Sequence, residues 1–167
     1  MAGEAFETQG NWGHIFQINV SNGGVPKLAV PQAEVTSLGL VGDQHANTDV
    51  HGGMERALCL YSLERILSLQ AEGHAIFPGA IGENLTIAGL NWTLVEPGVH
   101  LRFGGDVLVE ITRYTSPCKT IAYALTGGEI SRVSQITRPS WSRVYARVIQ
   151  CGWIKVGDKV TIGLPSE

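Results

Sequence analysis

The chemistry in this chain concentrates on one cysteine, in the stretch Ile111-Thr112-Arg113-Tyr114-Thr115-Ser116-Pro117-Cys118-Lys119-Thr120. Val107, Val109 and Ile111 alternate with Leu108, Glu110 and Thr112, and this β-branched pattern predicts a strand leading up to it. Ser116-Pro117 then breaks the ladder, because proline has no N–H to donate and biases its predecessor toward extended geometry. Cys118 leaves the strand with Lys119 beside it and Arg113 five residues back. A thiolate is the form that attacks electrophiles and binds metals, and nearby positive charge favours it. The competing assignment is a small buried side chain after a turn, the usual fate of a free cysteine.

Three further clusters carry functional side chains. Residues 43–56 form a polar loop in which Asp43, His45 and His51 have ligand-type groups. Their spacing matches none of the compact zinc patterns, so they either line a site or fix a long loop by hydrogen bonds. Residues 77–87 form a glycine-rich loop whose backbone can approach a ligand closely. There Glu83 and Asn84 offer paired contacts to a heterocycle or staple the loop to its scaffold, and spacing favours the staple. Arg143, Tyr145 and Arg147 share one face of a strand by the two-residue period. That face is either solvated or an anion contact, since guanidinium forks match phosphate oxygens.

The elements that must position these groups are short. Strands are predicted at 13–20, 33–40, 57–61, 85–87, 107–112 and 142–149, with an extended link at 26–31. Residues 98–104 and 157–163 share a frame of apolar alternation entered and left by glycine. Leu63, Ile66 and Leu67 fall at helical spacing between a Ser62 cap and Gly73, predicting a helix over 62–72. Residues 120–125 and 129–137 are predicted as two shorter helices. Cys59, in an apolar run, belongs to the core, and Cys151 is also read as structural. Glycine numbers 21 and recurs in pairs, which suits sharp corners between short strands. The expected fold is mainly β: a closed or nearly closed barrel with a few short helices.

Composition bounds the function. At 167 residues the chain is expected to be one domain, 1–167, with its core at about 13–163. A net charge of −3 argues against a broad nucleic-acid surface. No apolar run reaches the length of a membrane span, and the N-terminus has no secretion pattern. Three cysteines without paired spacing argue against a disulfide framework and for a reducing, cytoplasmic location.

Taken in order, Gly42-Asp43-Gln44-His45, His51-Gly52-Gly53-Met54-Glu55-Arg56-Ala57, Tyr61-Ser62, residues 78–86, Pro117-Cys118 and residues 143–148 resemble the MOSC domain family. The name refers to the C-terminal domain of molybdenum cofactor sulfurase, and the resemblance runs from about residue 39 to 163. It implies a barrel-like β domain with a single functional cysteine, here Cys118, that carries sulfur as a persulfide or ligates molybdenum. Such domains stand alone, follow a pyridoxal-phosphate cysteine-desulfurase-like domain, or occur in reductases of N-hydroxylated compounds. This polypeptide shows no desulfurase-like segment, so pyridoxal phosphate chemistry within it is not expected. Where the family often has an arginine close before Pro-Cys, this chain has Ser116, with Arg113 three residues further back.

The resemblance gives each cluster an expected role. Cys118 is the catalytic group and metal ligand. Arg113 and Lys119 stabilise its thiolate or persulfide, and Arg143 and Arg147 meet the phosphate of a pyranopterin-molybdenum cofactor. Asp43, His45, His51, Glu83 and Asn84 orient the pocket. Expected partners are a small-molecule substrate, a separate electron-transfer protein and a cysteine desulfurase as sulfur donor. Two classes of function remain: a molybdenum-dependent reductase of N-hydroxylated compounds, or a non-catalytic carrier that delivers sulfur to metal–sulfur clusters. A zinc site from His45, His51 and Cys118 is a third.

Overall fold

The computed structural model describes residues 10–44 and 53–163. Seven strands close a ring: β1 (Trp12–Val20), β11 (Lys159–Gly163), β7 (His100–Phe103), β8 (Val107–Tyr114), β9 (Val144–Gln150), β5 (Leu58–Ser62) and β6 (Leu85–Ala88), which pairs with β1 again. One edge of β1 is shared. Its first half pairs with β11 and its last residues pair with β2 (Leu28–Val30). A smaller sheet of β3 (Gln32–Thr36), β4 (Gly39–Leu40) and β10 (Gly152–Lys155) lies apart from the ring. Closure leaves few unpaired strand edges to attract other chains.

One pairing in the ring is parallel, β5 with β6. A parallel pair needs a crossover, and α1 (Leu63–Ala71) supplies it. Ser62 caps that helix, its hydroxyl accepting from the Arg65 N–H at 3.2 Å, and Glu72 ends it. The predicted span is therefore right to a residue at each end. The buried stripe differs from the sequence expectation: Ile66 and Leu69 are buried, whereas Leu67 is exposed.

Every residue of β5 and β6 is buried. The barrel interior takes one face, where Leu58, Leu60, Leu85, Val144 and Ala146 lie. Alternation and register put Cys59, Tyr61, Thr86 and Tyr145 on the other, outer face. Two segments cover it. One is the 78–84 loop; the other runs through 3₁₀ turns at Lys119–Ala124 and Ile130–Val133. Those turns stand where the two short helices were predicted, and Ile121, Ala124 and Val133 join the core from them.

The single strand predicted at 33–40 is in fact a hairpin, β3 and β4, turned by Gly39 at φ 121°. The Thr36 hydroxyl donates to the Gly39 carbonyl at 3.0 Å inside that turn. The link at 26–31 contains β2, and β10 was not foreseen. Only Ile154 of β10 is fully buried, so it offers almost no apolar pattern to detect. No helix among the described residues is long and apolar enough to cross a membrane.

The hairpin yields a test. A Cβ on Gly39 would stand 2.5 Å from the Ala57 carbonyl oxygen, in a backbone region that side chains rarely adopt. Gly39→Ala should cost about 2 kcal/mol or more in urea denaturation. A loss within a few tenths would show that the turn relaxes freely.

Candidate functional site

The site is built where the β8–β9 ladder ends. Tyr114 pairs with Val144, and one step further the Thr115 N–H donates to the Arg143 carbonyl at 3.0 Å. The Ser142 hydroxyl donates to the Thr115 carbonyl at 3.2 Å. Tyr61 donates its hydroxyl to the Trp141 carbonyl at 2.7 Å, and the Trp92 indole donates to the Ser142 carbonyl at 2.9 Å. Arg65 and Arg138 lie over the Trp141 ring, at 4.5 and 3.4 Å from its centroid. A segment without ladder partners thus has its carbonyls satisfied by buried side chains, which fixes where Arg143 enters.

Arg143 is 7% exposed. One terminal nitrogen donates to the Ile81 carbonyl at 2.7 Å, and its Nε has no hydrogen-bond partner. A buried guanidinium N–H left unpaired is costly, so this donor is an opening for an acceptor.

Cys118 lies three residues past Thr115, exposed, and leads the Lys119–Ala124 turn. The Thr120 hydroxyl holds its thiol below the usual range; burial opposes it as the next largest influence, and the Thr120 N–H and the charge of Arg143 add smaller lowering effects. Lys119 and Arg113, its cationic neighbours in sequence, are not among the groups that lower it. Tyr123, in the same turn, donates to the Ala80 carbonyl at 2.5 Å and ties the cysteine segment to the 78–84 loop. Cys59 is the opposite case: burial pushes its thiol up to about 11. Cys151, read from sequence as structural, is exposed between β9 and β10.

Asn84 is fully spent on architecture. Its side-chain oxygen accepts from the Cys59 N–H at 3.0 Å, and its amide donates to Asp43 at 2.9 Å and to the Asn19 carbonyl at 3.3 Å. Asp43 also accepts from Lys27 Nζ at 2.6 Å and from the Ser21 N–H at 2.9 Å. These contacts staple the start of the 43–56 loop to the 78–84 loop. Gly79 makes the loop possible: at φ 88°, a Cβ there would meet the Lys27 carbonyl oxygen at 2.3 Å.

Glu83 is completely buried. Its Oε2 accepts from the Thr86 hydroxyl at 3.0 Å, and Oε1 has no partner in hydrogen-bond geometry. Burial raises its carboxyl to about 7, against partial relief from the N–H groups of Gly79 and Glu83, the Thr86 hydroxyl and the Arg143 charge.

Arg147 lies in β9 and Arg143 immediately precedes that strand, and four residues of extended chain separate them by about 13 Å. Arg147 is held there by Glu110 and, at 3.8 Å, by Glu55. The structure therefore brings Cys118, Arg143 and the 78–84 loop together and leaves Arg147 in a separate ion-pair cluster. His45 and His51 lie outside the described residues. Among the described residues no three His, Cys, Asp or Glu side chains gather as a metal site. Thr120, Tyr123 and Thr86 were not singled out from sequence. Thr120 offered one signal, a hydroxyl two residues after the cysteine.

Two measurements test this electrostatics. Brief alkylation near neutral pH with peptide mapping should label Cys118 fastest, Cys151 more slowly and Cys59 last. Labelling of Cys59 ahead of Cys118 would contradict it. For Glu83, the unfolded carboxyl ionises near 4.5 and the folded one near 7. Between those values the folded state binds more protons, so stability falls as pH rises, by about 3 kcal/mol in total. Glu83→Gln should be more stable than wild type at pH above about 7, with the gap closing toward about pH 4.5. A gap independent of pH would show that Glu83 does not titrate in this window.

A family model described as the MOSC domain matches residues 47–161. Protein YiiM of Escherichia coli (strain K12) is 35% identical over 107 residues, which are 62% of this chain and 47% of that protein. A protein named Reductase from Gibberella moniliformis (strain M3125 / FGSC 7600) is 30% identical over 132 residues, 76% of this chain and 23% of that protein. The chain thus spans about half or less of these relatives. Among solved structures, the YUAD protein from Bacillus subtilis superposes with a TM-score of 0.73 at 13% identity, over 93% of this chain and 97% of that one. YiiM from Geobacillus stearothermophilus gives 0.71 at 24% identity, over 90% of this chain and 75% of that one. These two likenesses are of fold, and with the family match over most of the sequence the conclusion is plain: the chain belongs to the MOSC domain family.

Proposed function

We propose that this protein binds the molybdenum cofactor through Cys118 and reduces small N-hydroxylated molecules in the cytoplasm. The observation that carries this reading is an exposed thiol, lowered by Thr120 and Arg143, beside a buried guanidinium with one donor unspent. The residues present fit the group. Cys118 supplies the soft donor that molybdenum takes, and Arg143 Nε is a buried donor that lacks the acceptor a phosphate oxygen would supply. When bound, the cofactor supplies a metal that exchanges oxygen and two electrons. Converting a hydroxylamine to an amine consumes two electrons and two protons and releases water. A separate electron-transfer protein supplies the electrons. Within the chain, the Thr120 hydroxyl favours the thiolate form of Cys118, and Arg143 would hold the anion. Tyr123 keeps the Cys118 turn against the 78–84 loop. The relative named Reductase supports this class of activity.

A second reading rests on the same thiol. Cys118 is exposed and belongs to no group of three or more His, Cys, Asp or Glu side chains among the described residues, which a sulfur carrier does not need. Its thiolate would attack the outer sulfur of a cysteine desulfurase persulfide, forming a persulfide on Cys118 and releasing the desulfurase thiolate.

Cys118→Ala separates both readings from a structural role. The side chain is exposed, so the substitution should cost about 1 kcal/mol or less in stability. It should abolish retention of molybdenum, acceptance of sulfur and reduction of an N-hydroxylated base with a supplied donor. Arg143→Ala should keep the thiol and lose bound pterin. Full activity in Cys118→Ala would end the thiolate reading. Wild type that accepts persulfide sulfur but never reduces such a base would favour the carrier.

A further inference from the structure

A second concave site lies beside the cysteine segment and is not part of the Cys118–Arg143 cluster. It is a cavity of about 620 Å³ between the strand exit at 113–117 and the turn at 130–136. That size falls within the range of about 300–1,000 Å³ typical of small-molecule sites. Of its polar groups, the Gln135 side-chain oxygen accepts from the Ser140 N–H at 2.8 Å and the Thr115 hydroxyl meets that of Ser142 at 3.4 Å, but others are unspent. Arg113 is exposed and has no carboxylate partner among the described residues, whereas Arg132 pairs with Glu129 and Arg138 with Glu72. The hydroxyls of Ser116, Ser131 and Ser134 also line the cavity and make no hydrogen bond to another described residue. Its apolar lining comes from Pro97, Pro117, Ile130, the half-buried Tyr114 and Ile136, which is 93% exposed.

We propose that this cavity binds a flat aromatic molecule bearing a phosphate monoester, the class of a nucleoside monophosphate. A guanidinium fork and three free hydroxyls match the three terminal oxygens of a phosphate monoester better than the two of a carboxylate. The tyrosine face and Ile136 receive the ring, as aromatic and aliphatic walls do in such pockets. Pro117 closes the wall, and the next residue is Cys118, about 3.8 Å further on at Cα. The cavity therefore ends one residue short of the thiol, which does not itself line it. As a substrate subsite this rests on the reductase reading. As a binding site it stands without it.

The test is calorimetric titration of the purified full chain, without added cofactor, with adenosine monophosphate, adenosine, inorganic phosphate and benzoate. Adenosine monophosphate should bind more tightly than the other three. Arg113→Ala should weaken it by about tenfold or more, as loss of a charge-assisted hydrogen bond implies. Arg132→Ala, on a neighbouring but already paired cation, should leave it nearly unchanged. Ser131→Glu, which puts a carboxylate into the cavity, should abolish binding and gives a second route if Arg113→Ala misfolds. Adenosine binding as tightly as the monophosphate would overturn the phosphate anchor, and benzoate doing so would overturn the phosphate class. No binding at millimolar ligand, or equal losses in Arg113→Ala and Arg132→Ala, would overturn the site. Because no turnover is measured, failure of the reductase reading and failure of this site are separate results.

Discussion

The buried guanidinium of Arg143 is the constraint on which the site depends. A permanently charged group cannot shed its proton to escape burial, so the fold must surround it with acceptors. One is the Ile81 carbonyl, and reaching it forces the 78–84 loop down onto the outer wall of the barrel. The carbonyl of Arg143 itself takes the Thr115 N–H, which fixes the exit that carries Cys118. One residue therefore sets the position of both the loop and the thiol. Its leftover Nε is the part of the arrangement that the fold does not use.

A barrel wall with both faces buried explains why this layer is polar and still stable. β5 and β6 present apolar side chains inward, and the outer face is buried under loops with irregular backbone. Irregular backbone has N–H and C=O groups that no ladder satisfies, so side chains must do it. Asn84 completes the pairing at Cys59, Asn19 donates to the Glu83 carbonyl at 3.1 Å, and Asp43 gathers Lys27, Ser21 and Asn84. Glu83 and Arg143 are the two members of this layer with an unpaired charged-group atom. They influence each other across it, since the Arg143 charge favours ionised Glu83.

Burial at one cysteine and a local hydrogen bond at the other set the two thiols apart. Cys59 and Cys118 both lie within the influence of Arg143, yet one thiol is raised and the other lowered. Desolvation dominates at Cys59, on a wall strand. At Cys118 the Thr120 hydroxyl dominates and outweighs the desolvation that opposes it. The local turn, rather than the net charge of the neighbourhood, decides which thiol is lowered.

Much of this was legible in the chain itself. Apolar alternation located β1, β8 and β9, a continuous apolar run located β5, Ser62 and Gly73 bounded the helix, and the Pro117 break placed Cys118 outside the ladder. The order of the motifs gave the family. Those signals are local, since period, cap and breaker each act within a few residues. The sequence left Asn84 between staple and ligand, put Arg143 and Arg147 on one face as equals, and gave the cations near Cys118 to Arg113 and Lys119. Only the tertiary structure decided those. Cross-strand register set Asn84 against Cys59, burial under the 78–84 loop made Arg143 a charged core residue, and Glu110 and Glu55 neutralised Arg147. Each outcome depends on which distant segments meet, and residue type and spacing carry no record of that.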